Sequence, residues 1–163
     1  MTHGVGAPDL RYVEHLARSN YEAIGFIPRP RLEQYAARGQ VLMAQENNED
    51  AGFLVFGNGR LALRIYQACI QYDARRHELG LLLVARLVKE AQRRGAHLIS
   101  LWCADDLPAN NFWRAAGFRC LATRAGGKAR GRIHNEWVLA VATEQLPLWA
   151  DAIAVAYAAG EST

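Results

Sequence analysis

The sequence predicts a mixed α/β domain, on three observations. Helical periodicity precedes three strand-like segments in succession. A long helical segment, a strand, a short helix and two more strands then follow, giving the order ααβββαβαββα with a helical tail. The composition is that of an ordinary globular chain: the 163 residues are 51% hydrophobic, 21% charged and 9% aromatic. This profile excludes a disordered, collagen-like or coiled-coil chain. A chain of this length forms one domain with room for a short appendage. It buries roughly 70% of the surface its unfolded form exposes, so it needs no disulfide or metal to fold.

Each element has a local reason. Asp9 is placed to N-cap a helix over 10–21, where Leu10, Val13, Leu16 and Ala17 recur at helical spacing. Residues 25–30 contain Pro28 and Pro30 and read as a turn. A short helix over 31–38 is closed by Gly39. Residues 41–45 and 51–56 read as strands joined by a turn at 47–50. Gly57, Asn58 and Gly59 read as a tight turn needing positive φ, and 61–71 as a long third strand. The segment 79–94 is rich in helix formers, with Leu82, Leu83, Leu87 and Ala91 on related turns and Gly95 at its end. A buried strand over 97–103, a short helix over 107–116 stopped by Gly117, and strands over 118–123 and 132–141 complete the domain. Residues 125–131 form a flexible basic loop between those last two strands. The division expected is a domain over 1–143 and a helical tail over 144–163. In the tail Leu146, Trp149, Ile153 and Tyr157 make an apolar stripe. The stripe must be covered by the domain's own sheet or by a second copy, and a homodimer is the expectation.

The formal net charge is +3, too small an excess to demand a nucleic-acid partner. Cys69, Cys103 and Cys120 are odd in number and contain no CxxC pair, which argues against a disulfide framework and a thiolate zinc site. They read as small buried hydrophobes in a reducing compartment. The N-terminus lacks the apolar core of a signal peptide, and no apolar run is long enough for a membrane span. The expected location is the cytoplasm, with no membrane partner and no metal.

The segment from Ile70 to Leu81 carries the chemistry. A strand ends, a short polar turn follows, and a helix begins. The first amides of that helix have no intrahelical partner and carry the positive end of its dipole, a geometry that binds pyrophosphate. Gly80 permits close backbone approach, and Arg75 and Arg76 add charge. Any strand–turn–helix unit has such amides, so a purely structural turn is the ordinary reading of the segment by itself.

The pattern Arg75-x-x-Glu78-x-Gly80 resembles the Gln/Arg-x-x-Gly-x-Gly/Ala signature of the GNAT family of acyl-CoA-dependent N-acyltransferases. Downstream, Asp106-x-x-Ala109-x-x-x-Trp113-x-x-x-Gly117-Phe118 resembles the family's Asn-x-x-Ala-x-x-x-Tyr-x-x-x-Gly-Phe element. The resemblance runs from about Asp9 to Leu139. It implies a mostly antiparallel sheet, flanked by helices, whose central fourth and fifth strands run parallel and splay apart. It implies acetyl-CoA as co-substrate, its pantetheine arm paired with the backbone of Cys69 and Ile70. Arg75, Arg76, His77, Glu78, Leu79, Gly80 and Leu81 would surround its pyrophosphate, and Asp106, Ala109 and Trp113 would complete the cofactor side.

Three residues depart from the family pattern. Glu78 replaces the middle glycine and sets a carboxylate near a diphosphate, which implies weakened cofactor binding unless it points outward or pairs with Arg75 or Arg76. Asp106 stands in place of asparagine. Trp113 stands in place of a tyrosine that can protonate the leaving thiolate, and an indole N–H is no acid at neutral pH.

Other candidates have ordinary readings beside the functional one. Glu136 in the last strand is a candidate base acting through water, or an outward polar strand residue. Glu46, close to a turn, is a weaker candidate. His77 and His134 read as incidental histidines. Cys103 lies where the thioester is expected, yet no His/Asp partner is visible in the sequence and it reads as a buried thiol. Trp102, Phe112, Trp113 and Phe118 read mostly as core, with room for one or two at an acceptor pocket. Arg119, Arg124, Lys128, Arg130 and Arg132 read as a solvated hairpin, or as a site for an acidic substrate, the cofactor's 3′-phosphate or RNA. The expected function is transfer of an acetyl group to an unidentified amine by direct attack. The alternatives are a non-catalytic acyl-CoA-binding module and a basic nucleic-acid-binding module. Tyr21, Phe26 and Arg29 on the acceptor side select no particular amine.

Overall fold

The computed structural model describes residues 3–59, 61–76, 78–126 and 131–141. The expected tail helix lies outside these residues, as do His77, Lys128 and Arg130. Strands β1 (His3–Gly6), β2 (Val41–Glu46), β3 (Glu49–Asn58), β4 (Ala62–Ile70), β5 (Leu98–Ala104), β6 (Arg119–Ala125) and β7 (Ile133–Ala140) form one sheet. Its spatial order is β1-β2-β3-β4-β5-β7-β6. Only β4 and β5 pair in parallel; every other neighbouring pair is antiparallel. This is the expected mixed, mostly antiparallel sheet with one parallel central pair. Strand β1 was not anticipated: its four residues carry no strand-like run, and pairing with β2 supplies their order.

The helices are α1 (Leu10–Ser19), α2 (Tyr21–Ile24), α3 (Arg29–Ala37), α4 (Leu79–Arg93) and α5 (Ala109–Ala115). Asp9 caps α1 as expected, its carboxylate accepting from the backbone N–H groups of Arg11 and Tyr12 at 3.0 and 3.3 Å. The single helix expected over 10–21 breaks at Asn20, whose side-chain amide donates to the Leu16 carbonyl at 2.9 Å, and α2 follows as a separate turn. Helix α3 begins earlier than expected, because Pro30 sits in its first turn, where no backbone donor is required.

Both faces of the sheet are covered at its central strands, whereas β6 is exposed along its whole length. On β2, Leu42 and Ala44 face α4, while Val41 and Met43 face α1 and α3; on β3, Leu54 and Phe56 alternate in the same way with Phe53 and Val55. Helix α4 presents Leu79, Leu83, Leu87 and Ala91 at four-residue spacing, each no more than 1% exposed. Burying each such leucine contributes roughly 2 kcal/mol.

The decisive irregularity lies in β4. Val55 pairs with Gln67, but the next residue of β3, Phe56, pairs with Ile65. Tyr66 is therefore an extra residue, a β-bulge. It reverses the side-chain alternation: Leu63 and Ile65 face α4, whereas beyond the bulge Ala68 and Ile70 do so and Cys69 joins the α1 side. Gly57 makes this possible. A Cβ there would come within 2.3 Å of the Tyr66 ring. The expectation of a turn at Gly57 is thus corrected: it is a buried residue of β3 without positive φ, and the space it leaves receives Tyr66.

Candidate active site

The parallel ladder between β4 and β5 runs from Ala62↔Leu98 to Ile65↔Leu101 and stops there. The bulge at Tyr66 turns β4 away, and the strands separate. Tyr66–Ile70 therefore have no ladder partner on the β5 side. The gap is a cavity of about 600 Å³. Its floor includes Ile65, Ala68, Cys69 and Ile70 of β4 and Leu101, Trp102 and Cys103 of β5. One end is closed by the start of α4, the other side by Asn20, Ala23 and Ile24 and by α5.

The start of α4 is built on a left-handed backbone. Arg76 and Glu78 have φ of +78° and +63°. Glu78 is the N-cap residue, yet its side chain makes no capping hydrogen bond, so the first amides of α4 retain their donors. The family's glycine at this position has a physical counterpart here: the conformation is one that glycine adopts freely and glutamate adopts at about 1–2 kcal/mol. Gly80 also has a packing reason. A Cβ there would approach the Phe112 ring to 2.8 Å, so its bare backbone lets α5 and its aromatic ring close against α4.

The cofactor-side candidates divide into two groups. Cys69, Ile70, Arg75, Arg76, Glu78, Leu79, Gly80, Leu81, Ala109 and Trp113 all line the cavity. Asp106 does not; its carboxylate accepts from Arg132 at 3.0 and 3.1 Å. Arg75 is already engaged. Its Nε donates to the Ile70 carbonyl at 3.1 Å and its guanidinium to Asn20 Oδ1 at 3.2 Å. It fastens the end of β4 to α1 and does not pair with Glu78. Arg76 has no ion-pair partner among the described residues and is the cation left at the mouth of α4.

The expectation of three buried cysteines is corrected at Cys120, which is exposed on the edge strand β6; Cys69 and Cys103 are buried and stay protonated. Burial, followed by the charge of Asp106, pushes the Cys103 thiol up to about 11, against the opposing influence of Arg132 and the Trp113 indole. Burial also raises Cys69, opposed by Arg75. Neither is a ready nucleophile at neutral pH. Trp113 is 6% exposed and meets Phe112 and Phe118 edge-on at 4.9 and 5.2 Å. Glu136 stands on β7 opposite Trp102 and Ala122, on the alternate face from buried Trp137. It does not line the cavity, but its neighbour Trp102 does, and Arg124 lies 3.8 Å over that indole ring.

Two residues that sequence reasoning passed over hold the cavity open. Gln67 is buried, and its amide donates to the carbonyls of Gly25 and Ile24 at 3.0 and 3.4 Å, tying the α2 turn to β4. Asn110 is buried at the base of α5. It donates to the carbonyls of Ala104 and Leu107, both at 2.8 Å, and its oxygen accepts from Trp137 at 2.9 Å and Asn135 at 3.1 Å. Its signal was its position three residues before Trp113, on the same inward helix face.

The acetyltransferase (GNAT) family model matches residues 10–118. Among curated proteins nothing matches the chain. Solved structures with the same fold include Ard1 from Thermoplasma volcanium, at 14% identity and TM-score 0.75, covering 87% of this chain and 99% of that one. The ribosomal-protein-S18-alanine N-acetyltransferase from Escherichia coli is similar at 17% identity and TM-score 0.66, over 90% of this chain and all of that one. So is yncA from Salmonella typhimurium, solved with acetyl-CoA, at 20% identity and TM-score 0.69, over 90% and 98%. The family model spans about two thirds of the sequence, and the bulged, splayed strand pair lies within it: this chain belongs to the GNAT acetyltransferase family.

Proposed function

We propose that the protein transfers the acetyl group of acetyl-CoA to an amine by direct attack. One observation carries the reading: the β4–β5 ladder ends at Ile65 and Leu101, and the gap beyond it leads to the uncapped start of α4. The residues present fit the co-substrate. The gap is lined largely by apolar side chains and offers an unladdered strand edge for an amide-bearing arm. The α4 amides and Arg76 suit a diphosphate. When bound, acetyl-CoA supplies a thioester carbon open to a nucleophile and a thiolate that leaves readily.

The chain's own part is orientation and desolvation. The β4 edge holds the arm, and an unpaired backbone N–H there is suited to a developing oxyanion. The amine enters between the α2 turn and the β6–β7 side, where Tyr21 and Phe26 are exposed. Glu136, one strand from Trp102, is the carboxylate proposed to take the amine proton through water. A second reading, a non-catalytic acyl-CoA-binding module, is favoured by Trp113, which puts an indole where the family pattern has a tyrosine acid. Turnover separates the two. Free thiol released from acetyl-CoA across a panel of primary amines, suppressed in Glu136→Gln, supports the enzyme. Acetyl-CoA binding without turnover of any amine supports the module.

A further inference from the structure

A second pocket lies at the opposite end of α4. Its volume is about 430 Å³, and it is lined by Arg31, Arg38 and Arg94 together with Tyr35, Gln40 and Tyr66. The three arginines come from α3, from the turn that follows it and from the C-terminal end of α4. Arg94 is fixed in place: its Nε donates to Glu90 at 3.0 Å, its terminal nitrogen donates to the Arg38 carbonyl at 3.1 Å, and it lies 5.2 Å from the Phe56 ring centre. Glu90 is shared with Arg93 at 2.8 Å, so this carboxylate is already used. Arg31 and Arg38 have no ion-pair partner among the described residues.

Gln40 stands on the same wall. It is 3% exposed, and its side-chain oxygen is buried without a hydrogen-bond partner. That oxygen is an acceptor and makes no bond to an anion's oxygens; what the side chain offers an anion is its NH2 donor. The Tyr35 and Tyr66 rings, 5.5 Å apart and tilted by 39°, give the pocket an aromatic wall. Tyr66 lines both this pocket and the β4–β5 cavity, and so separates them.

We propose that this pocket binds a small phosphate-bearing anion at a site separate from the acetyl-CoA cavity. Arginine suits the task because its planar fork pairs with phosphate oxygens two at a time. The test is calorimetric titration of the whole protein with inorganic phosphate, and in a second arm with a nucleoside monophosphate. The second arm tells free phosphate from a ring-bearing ester, which the tyrosine wall favours by binding more tightly. Saturable binding is expected in at least one arm, with saturating acetyl-CoA present. Arg31→Gln with Arg38→Gln, both exposed, should weaken it about tenfold or more, as loss of a charge-assisted contact implies. The same double variant should leave acetyl-CoA affinity unchanged, and Arg76→Gln should leave phosphate binding unchanged. Failure of both anions to saturate, displacement by acetyl-CoA, or loss in Arg76→Gln in place of the double variant would overturn the proposal. Since phosphate binding is read directly, its failure is distinct from a failure of acetyl-CoA to bind.

Discussion

The two halves of β4 have the same composition class and opposite fates. From Leu63 to Ile65 the strand is laddered on both edges, and Leu63 and Ile65 are sealed beneath α4. From Tyr66 to Ile70 it is laddered to β3 alone, its inward side chains have exchanged faces, and a cavity opens beside it. One inserted residue separates the two. The first half does the work of a core. The second gives up a set of parallel hydrogen bonds to create an unpaired backbone edge, and the sheet tolerates this because Gly57, Gln67 and Asn110 hold the walls. Stability and the proposed binding edge thus lie in adjacent segments of one strand, and substitutions should separate them.

The largest effect is expected in the laddered half. Leu63→Ala removes a fully buried side chain and should cost about 3 kcal/mol, read by urea unfolding. The acetyl-CoA affinity of the folded protein should be unchanged. Across the bulge the pattern should invert. Gly57→Val drives a side chain into the place of the Tyr66 ring. Overpacking should cost about 2 kcal/mol, and displacement of the bulge should weaken acetyl-CoA binding by about tenfold. Equal affinity in Gly57→Val and the parent would break the comparison, since the bulge would then not shape the cavity.

The laddered half was legible in the sequence, and the bulged half was not. Residues 61–71 read as one uninterrupted strand, because the alternation of buried and more open residues continues straight through the bulge. Only pairing with β3 reveals that the faces have exchanged. For the same reason Gly57 read as a turn: a glycine kept for the space it leaves looks, in sequence, like a glycine kept for its φ. Helix ends were legible where chemistry is local, as with Asp9 at the start of α1 and positive-φ Gly39, Gly95 and Gly117 after α3, α4 and α5. At the start of α4 the residues expected around a pyrophosphate, His77 aside, line one cavity, but their partners were not legible. Arg75 turns to Ile70 and Asn20, and Asp106 to Arg132, contacts between residues at least 26 apart or set by a turn's exact path. Asn110 and Gln67 escaped notice because a lone amide acquires meaning only from the carbonyls brought to it.

Smaller effects sharpen the picture of the open half. Glu78→Gly relieves a left-handed residue and should stabilise the fold by about 1 kcal/mol, a rise in melting temperature of roughly 2–4 °C. Since Arg75 is not its partner, removing the carboxylate should also tighten acetyl-CoA binding, more so at low salt than at high salt. The smallest effect is confined to alkaline pH. Cys103 is raised from 9.0 to about 11, and Tyr12, whose hydroxyl donates to Gln71 at 3.0 Å, from 10.0 to about 12, chiefly by burial in both cases. Both folded groups hold their protons more tightly than the unfolded chain does. Their contributions are therefore complete below pH 9 and pH 10, and are lost as pH rises through about 11 and 12. Melting temperature should fall over that window, and Cys103→Ala should flatten its lower part.

In the function proposed here, the unpaired half of β4 and the start of α4 together hold acetyl-CoA. Amide hydrogen exchange with and without saturating acetyl-CoA tests it most directly. Slower exchange is expected in two segments, residues 66–71 and 78–82, with residues 63–65 unaltered because their ladder is already complete. No change in those two segments, or protection confined to the arginine-lined pocket at the far end of α4, would contradict it.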